Sequence, residues 1–150
     1  MCFILSTLII IMVYDLKYFL ILDKISIPAL LVALIFNLFL IDDFSSLMIG
    51  LAVGGVFFFL QYWFSRGRWL GGGDVRLGLV MGAMLGWPGI LTALFIAYVS
   101  GSLVALPLVV SGKKSWSAQM PLAAFLAPAT LATLWFGQTM LDWYLKFLAL

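Results

Sequence analysis

DVRLGLVMGAMLGWPGILTALFIAYVSGSLVALPLVV, Asp74 to Val110, is an almost wholly apolar run with one interruption, at Trp87-Pro88-Gly89. About 20 apolar residues suffice to cross a bilayer as a helix, so whether this run is one span or two fixes the number of passes in the chain. Proline and glycine together are strong punctuation, and they divide the run into helices at 74–87 and 89–110. The first of these is short. From Asp74 to Pro88 it covers roughly 20 Å at 1.5 Å per residue, against a hydrocarbon core of about 30 Å. Either that helix is shallow, or its N-terminus, with Asp74, sits in a wet recess inside the membrane plane.

The flanking sequence has the same character. Of the 150 residues, 65% are hydrophobic and 9% charged, and the mean hydropathy is +1.22, outside the range of soluble domains. Further apolar runs lie at 1–22, 25–41, 46–64 and 120–138, with a C-terminal piece from 139 to 150 that either lies at the interface or extends the last helix. Backbone groups in lipid must be satisfied within the segment, and the period-2 alternation of a barrel is absent, so the runs are helices. The expected fold is all-α: a polytopic transmembrane bundle of about six helices, forming one membrane-embedded domain over 1–150. Asp42-Asp43 and Ser111-Gly112-Lys113-Lys114 supply the other breaks. The first run lacks a basic leading region and a cleavage site of small residues, so it reads as a retained span.

Charge placement orients the bundle. In the six-helix arrangement Lys17, Lys24, Arg66, Arg68, Arg76, Lys113 and Lys114 share one side, leaving only Lys146 of the eight basic residues opposite, so the basic side is expected to face the cytoplasm. Arg66, Arg68, Lys113 and Lys114 are topology determinants first and headgroup contacts second. Phe57 to Phe59, Tyr62, Trp63 and Trp69 are accounted for by lipid contact and an interfacial aromatic belt.

The titratable inventory excludes most hydrolytic chemistry. The chain has no His and no Glu, all six acids are Asp, and Cys2 is its single cysteine. A Ser-His-Asp or Cys-His site needs an imidazole, a zinc protease motif of the HExxH kind needs two of them and a Glu, and a Cys-rich zinc site needs several thiols. Aspartates remain. Asp42-Asp43 reads as a solvated turn and Asp142, beside Trp143 and Tyr144, as interfacial, whereas Asp15, Asp23 and Asp74 all fall on the basic side.

Asp74 follows three glycines, Gly71, Gly72 and Gly73, which allow positive φ and a close backbone approach, while the helix N-terminus favours the negative charge. The plainer reading is a capping aspartate after a flexible loop. Ionisable residues at membrane depth face a cavity or a partner, and two carboxylates held close together share a proton, the arrangement with which aspartic proteases activate water. Asp15 and Asp23 are about 12 Å apart on a continuous helix, too far to pair with each other. The partner of Asp74 therefore comes from a distant segment, and spacing does not choose between Asp15 and Asp23. Arg76 is two residues beyond Asp74 and so on a different helix face, where a structural or lipid-facing role is expected.

Three motifs in order resemble the type IV prepilin peptidases, membrane aspartic proteases of the GxGD class that also includes archaeal preflagellin peptidases and, more remotely, presenilin. GGGDVRLG, Gly71 to Gly78, matches GxGD followed by a hydrophobic and a basic residue; YDLKYFLILDKISIP, Tyr14 to Pro28, resembles the family's aspartate-containing segment; MPLAAFLAPA, Met120 to Ala129, resembles a stretch near the start of its last core helix. The resemblance implies that Asp15 and Asp74 are catalytic, that Gly71, Gly72, Gly73 and Asp23 shape the site, and that no metal or organic cofactor is needed. It implies cleavage of the basic leader of a prepilin or pseudopilin after a glycine, at the cytoplasmic face of a bacterial inner membrane, with the substrate helix and the lipid bilayer as partners and no nucleic acid. The family's Cys-rich N-terminal segment has no counterpart here, so a short form without methyltransferase activity is expected. Leu22, Leu122 and Ala124 depart from the family pattern. Two other readings stand beside the peptidase: an inactive or truncated relative that binds pilin-like helices without cutting them, and a small transporter with Asp74 as an ion site.

Overall fold

The structure, a computed structural model, describes residues 2–18, 21–40, 43–68, 70–112 and 121–148. Asp42, Trp69, Lys113 and Lys114 and the side chains of Asp142, Trp143 and Tyr144 lie outside what it describes. Five helices follow one another: α1 Cys2–Tyr18, α2 Asp23–Leu40, α3 Phe44–Ser65, α4 Gly72–Val110 and α5 Ala123–Leu148. No strand occurs among the described residues. Two of the helices, α3 and α4, are long and apolar enough to cross a membrane.

The helix expected over 1–22 is shorter. It ends at Tyr18, and the Leu22 carbonyl accepts from the Ile25 and Ser26 amides, both at 3.0 Å, so that α2 opens at Asp23 rather than at 25. An acid in the first turn suits the unpaired amides there. Asp15 and Asp23 consequently stand on different helices, and the separation argued from one continuous helix does not apply to them. At the other end of the chain, the piece after 138 extends α5.

Helix α4 is continuous by its hydrogen bonds yet contains two non-helical residues, Gly86 at φ 59° and Trp87 at φ −95°, ψ 136°. Positive φ is inexpensive only for glycine, which places the break at this residue. Ser46 of α3 holds it: its hydroxyl donates to the Trp87 carbonyl at 2.7 Å and accepts from the Trp87 amide at 2.9 Å. The chain reverses here. Phe57 packs edge-on against Tyr98, with centroids 5.6 Å apart, while its neighbour Phe58 lies over Gly78. Gly78 and Tyr98 are thus at one level of α3, although a straight helix would separate them by about 30 Å. The two limbs of α4, before and after Gly86–Trp87, are antiparallel, and with them the helical segments among the described residues number six, as the Trp-Pro-Gly punctuation predicts.

The first limb meets α3 backbone to backbone. A Cβ on Gly50 would lie 2.7 Å from the Gly82 carbonyl oxygen, and one on Gly54 would collide with the carbonyl of Gly78. Glycines four apart on both helices let backbones approach closely, which drives helix association where lipid removes the hydrophobic incentive. Phe58, expected at the lipid, is 0% exposed, because Gly78 leaves an open slot for its ring. Buried around this seam are Leu77, Val80, Met81, Ile90, Ala93 and Leu126. Asn37 of α2, 4% exposed, donates to the Ala83 carbonyl at 2.7 Å and so fastens α2 to the same limb.

Candidate active site

Asp74 is the third residue of α4, after Gly71 in the capping position. Its Oδ2 accepts from the Gly71 amide at 2.9 Å, and its own amide donates to the Gly71 carbonyl at 3.1 Å. The carboxylate therefore does perform a capping job, reaching back to satisfy a first-turn amide as the acid of a capping box does. The glycines work differently from expectation. None of the three has positive φ, which among described glycines is confined to Gly67, Gly86 and Gly112, and Gly71 is extended at φ −79°. What Gly73 supplies is proximity: a Cβ there would lie 2.6 Å from Cβ of Ile21, in the link between α1 and α2. A Cβ on Gly72 would meet nothing within 4 Å.

Asp15 comes from the buried stripe of α1, following Thr7, Leu8 and Ile11 at helical spacing, and is 6% exposed. Its Oδ2 accepts from the Ala123 amide at 2.8 Å, at the opening of α5, and the Ala124 amide adds a second backbone contact. Amides at a helix start have no partner within the helix, so α5 brings donors to Asp15 that no sequence position opposite it announces. This is the structural content of the PLAAFLAPA stretch: Pro121 and Leu122 precede the helix, and the Leu122 carbonyl accepts from the Phe125 and Leu126 amides at 3.0 Å.

The two carboxylates share one end of the bundle, near enough for Asp15 to act electrostatically on Asp74. Tyr98, on the returning limb of α4, is also within electrostatic range of Asp74, and its hydroxyl donates to Gln61 Oε1 at 2.9 Å. Neither Tyr98 nor Gln61 is singled out by the sequence; only the reversal at Gly86 brings Tyr98 to this depth. Asp23 forms an ion pair with Arg76, which is the structural one of the two roles expected for that arginine. The two residues are 42% and 56% exposed on the Arg76 and Asp23 sides respectively. Among the described residues no group of three His, Cys, Asp or Glu converges as a metal site would require. Two acids held by helix-start amides beside an exposed Gly71-Gly72 edge can carry out general acid and base chemistry on a peptide bond brought to that edge.

A family model described as the type IV leader peptidase family matches residues 2–106. A protein of Burkholderia pseudomallei (strain K96243) named prepilin leader peptidase/N-methyltransferase is 34% identical over 122 residues, 77% of this chain and 39% of that protein. Proteins of the same name from Aeromonas hydrophila and Bacillus subtilis (strain 168) are 29% and 28% identical over 138 and 144 residues, or 87% and 94% of this chain. The chain spans 47% and 57% of their lengths. No solved structure matches it.

Proposed function

The chain belongs to the type IV leader peptidase family, and from that premise we propose that it is an aspartic endopeptidase of the membrane that removes the basic leader of prepilin-like proteins. Asp15 and Asp74 are the catalytic pair. The observation that supports the reading is that Asp15 and Asp74, from helices far apart in the chain, lie within electrostatic range of each other. Brought together on a substrate, two carboxylates hold one proton between them. The ionised member takes a proton from water as the water oxygen bonds to the scissile carbonyl carbon. The protonated member donates to the carbonyl oxygen, and when the intermediate collapses the carboxyl that took the water proton gives it to the leaving nitrogen as the C–N bond breaks, while the other carboxylate takes a proton back from a hydroxyl of the intermediate. No metal or organic cofactor enters that sequence.

The substrate is a chain with a short basic leader joined to an apolar helix, cut after the glycine at the junction. The apolar helix lies against the bundle and the leader remains in water. Lys17 follows Asp15 by two residues and Arg76 follows Asp74 by two, so the acids are at the basic end, which positive charge keeps on the cytoplasmic side of a bacterial inner membrane. Asp15→Asn and Asp74→Asn each abolish processing of a co-expressed prepilin in membranes while the protein still accumulates. Normal processing by either variant sinks the assignment; a wild type that binds prepilin and leaves its leader intact makes the chain a binding subunit instead.

A further inference from the structure

We infer that Asp23 is a positioning residue that acts through Arg76: the ion pair latches the first turn of α4 to the start of α2 and so fixes Asp74 with respect to Asp15. The inference rests on the peptidase reading for its catalytic consequence, and on geometry for the latch itself. The link between α1 and α2 is the point where the two acids' supports touch. Ile21 of that link is seated against Gly73, one residue before Asp74. Asp23, two residues further along, reaches Arg76, two residues after Asp74. The first turn of α4 is therefore gripped on both sides of the acid, while Asp15 sits on α1 at the other side of the same link and is pinned to α5 by the Ala123 amide.

Leu70 and Val75 pack the inner side of that turn into the core, but its outer edge has few anchors. Gly71 and Gly72 are exposed and without side chains, and among the described residues the carboxylate of Asp74 accepts only from the amide of its own cap. The glycine seam with α3 begins at Gly78, a full helical turn beyond the acid. Pairing also gives the Arg76 guanidinium a carboxylate other than Asp74. An exposed pair adds little to global stability, whereas a small displacement of a reacting group costs far more in rate than in stability.

The test uses the full chain in membranes or nanodiscs, with Asp23→Asn, Arg76→Gln, the double variant and Asp23→Glu. Each single variant lowers kcat about tenfold with KM unchanged, the double variant is no worse than either, and Asp23→Glu restores most of the rate. Hydrogen exchange of the Gly71 to Leu77 amides, which needs no substrate, rises alike in both singles and no further in the double. Additive losses, a rise in KM with kcat intact, or unchanged exchange each overturn the latch. If the wild type does not cut prepilin at all, the peptidase reading fails, and the exchange measurement alone still decides for or against the latch.

Discussion

Glycine appears in two settings at opposite ends of the same helical limb, and the physics differs. Along the α3–α4 seam, Gly50 and Gly54 face Gly78 and Gly82 so closely that a methyl group on any of them would enter the opposing backbone or, at Gly78, also the Phe58 ring. Before α4, by contrast, the run Gly71-Gly72-Gly73 has one tight position out of three. A Cβ on Gly73 would run into Ile21, one on Gly72 would meet nothing within 4 Å, and one on Gly71 would lie 3.8 Å, an ordinary contact, from Oδ2 of Asp74. The seam uses glycine to hold the fold, while the run uses it to seat a single residue next to an acid. At the middle of the three, Gly72, a side chain would have room.

The seam should yield the largest effect. Gly54→Val drives two γ-carbons as well as a Cβ at the Gly78 backbone, and the expected loss is about 3 kcal/mol or more, read from unfolding in detergent micelles or from failure to accumulate. Gly73→Ala should lose about 1–2 kcal/mol through its contact with Ile21, yet leave a folded protein whose prepilin processing falls more than its stability. If the two substitutions harm stability equally, the distinction between the settings collapses. Ser46→Ala leaves the Trp87 amide and carbonyl without their shared hydroxyl and should lower stability by about 1–2 kcal/mol, most visibly as faster amide exchange around Gly86.

Smaller effects sharpen the contrast further. At the start of α3, outside the membrane-spanning stretch, hydrogen bonds from the Ser45 hydroxyl and the Ser46 amide hold the Asp43 carboxyl below the usual aspartate range. Its contribution is therefore full above the unfolded aspartate pKa and is lost as pH falls through the lower folded value. Asp43→Asn should be flat through that acid window where the wild type loses protection at the α3 N-terminus. Smallest of all is Gly72→Ala, for which folding and processing within experimental error of wild type are expected; a marked loss would mean that the open space at this position is needed by substrate.

Much of the fold was legible because membrane burial writes itself in composition. The apolar runs locate α2, α3, α4 and the start of α5 within a few residues, and Trp87-Pro88-Gly89 marks the reversal inside α4; the end of α5 was left open between an interfacial piece and an extension. The early end of α1 was not legible, since residues beyond Tyr18 are as apolar as those before it and a cap made by the Leu22 backbone leaves no side-chain signature. Nor was the seam read, although its signal, glycines spaced by four in both partners, is plain in the sequence once helix packing in lipid is asked about. At the candidate site, chemistry singled out Asp74 and left Asp15 and Asp23 open as its partner, and family likeness pointed to Asp15. The backbone partners of Asp15 and Asp74 were invisible, because Ala123 and Gly71 contribute only main-chain amides. The structural role open to Arg76 holds, but its partner was not legible, because helix-face arithmetic considers neighbours on its own helix and Asp23 lies on another.

The doubled-back form of α4 turns the limb lengths into a ruler. Tyr98 comes within electrostatic range of Asp74 because comparable stretches of helix run down to Gly86 and back up from Trp87. One residue inserted on either limb would shift everything beyond it by about 1.5 Å and rotate it by about 100°, carrying the tyrosine away from the acid or Gly73 off its seat on Ile21. Variation in this hairpin is thereby confined to changes that preserve both counts, so two natural forms differing in length between Asp74 and Tyr98 could not both retain this arrangement.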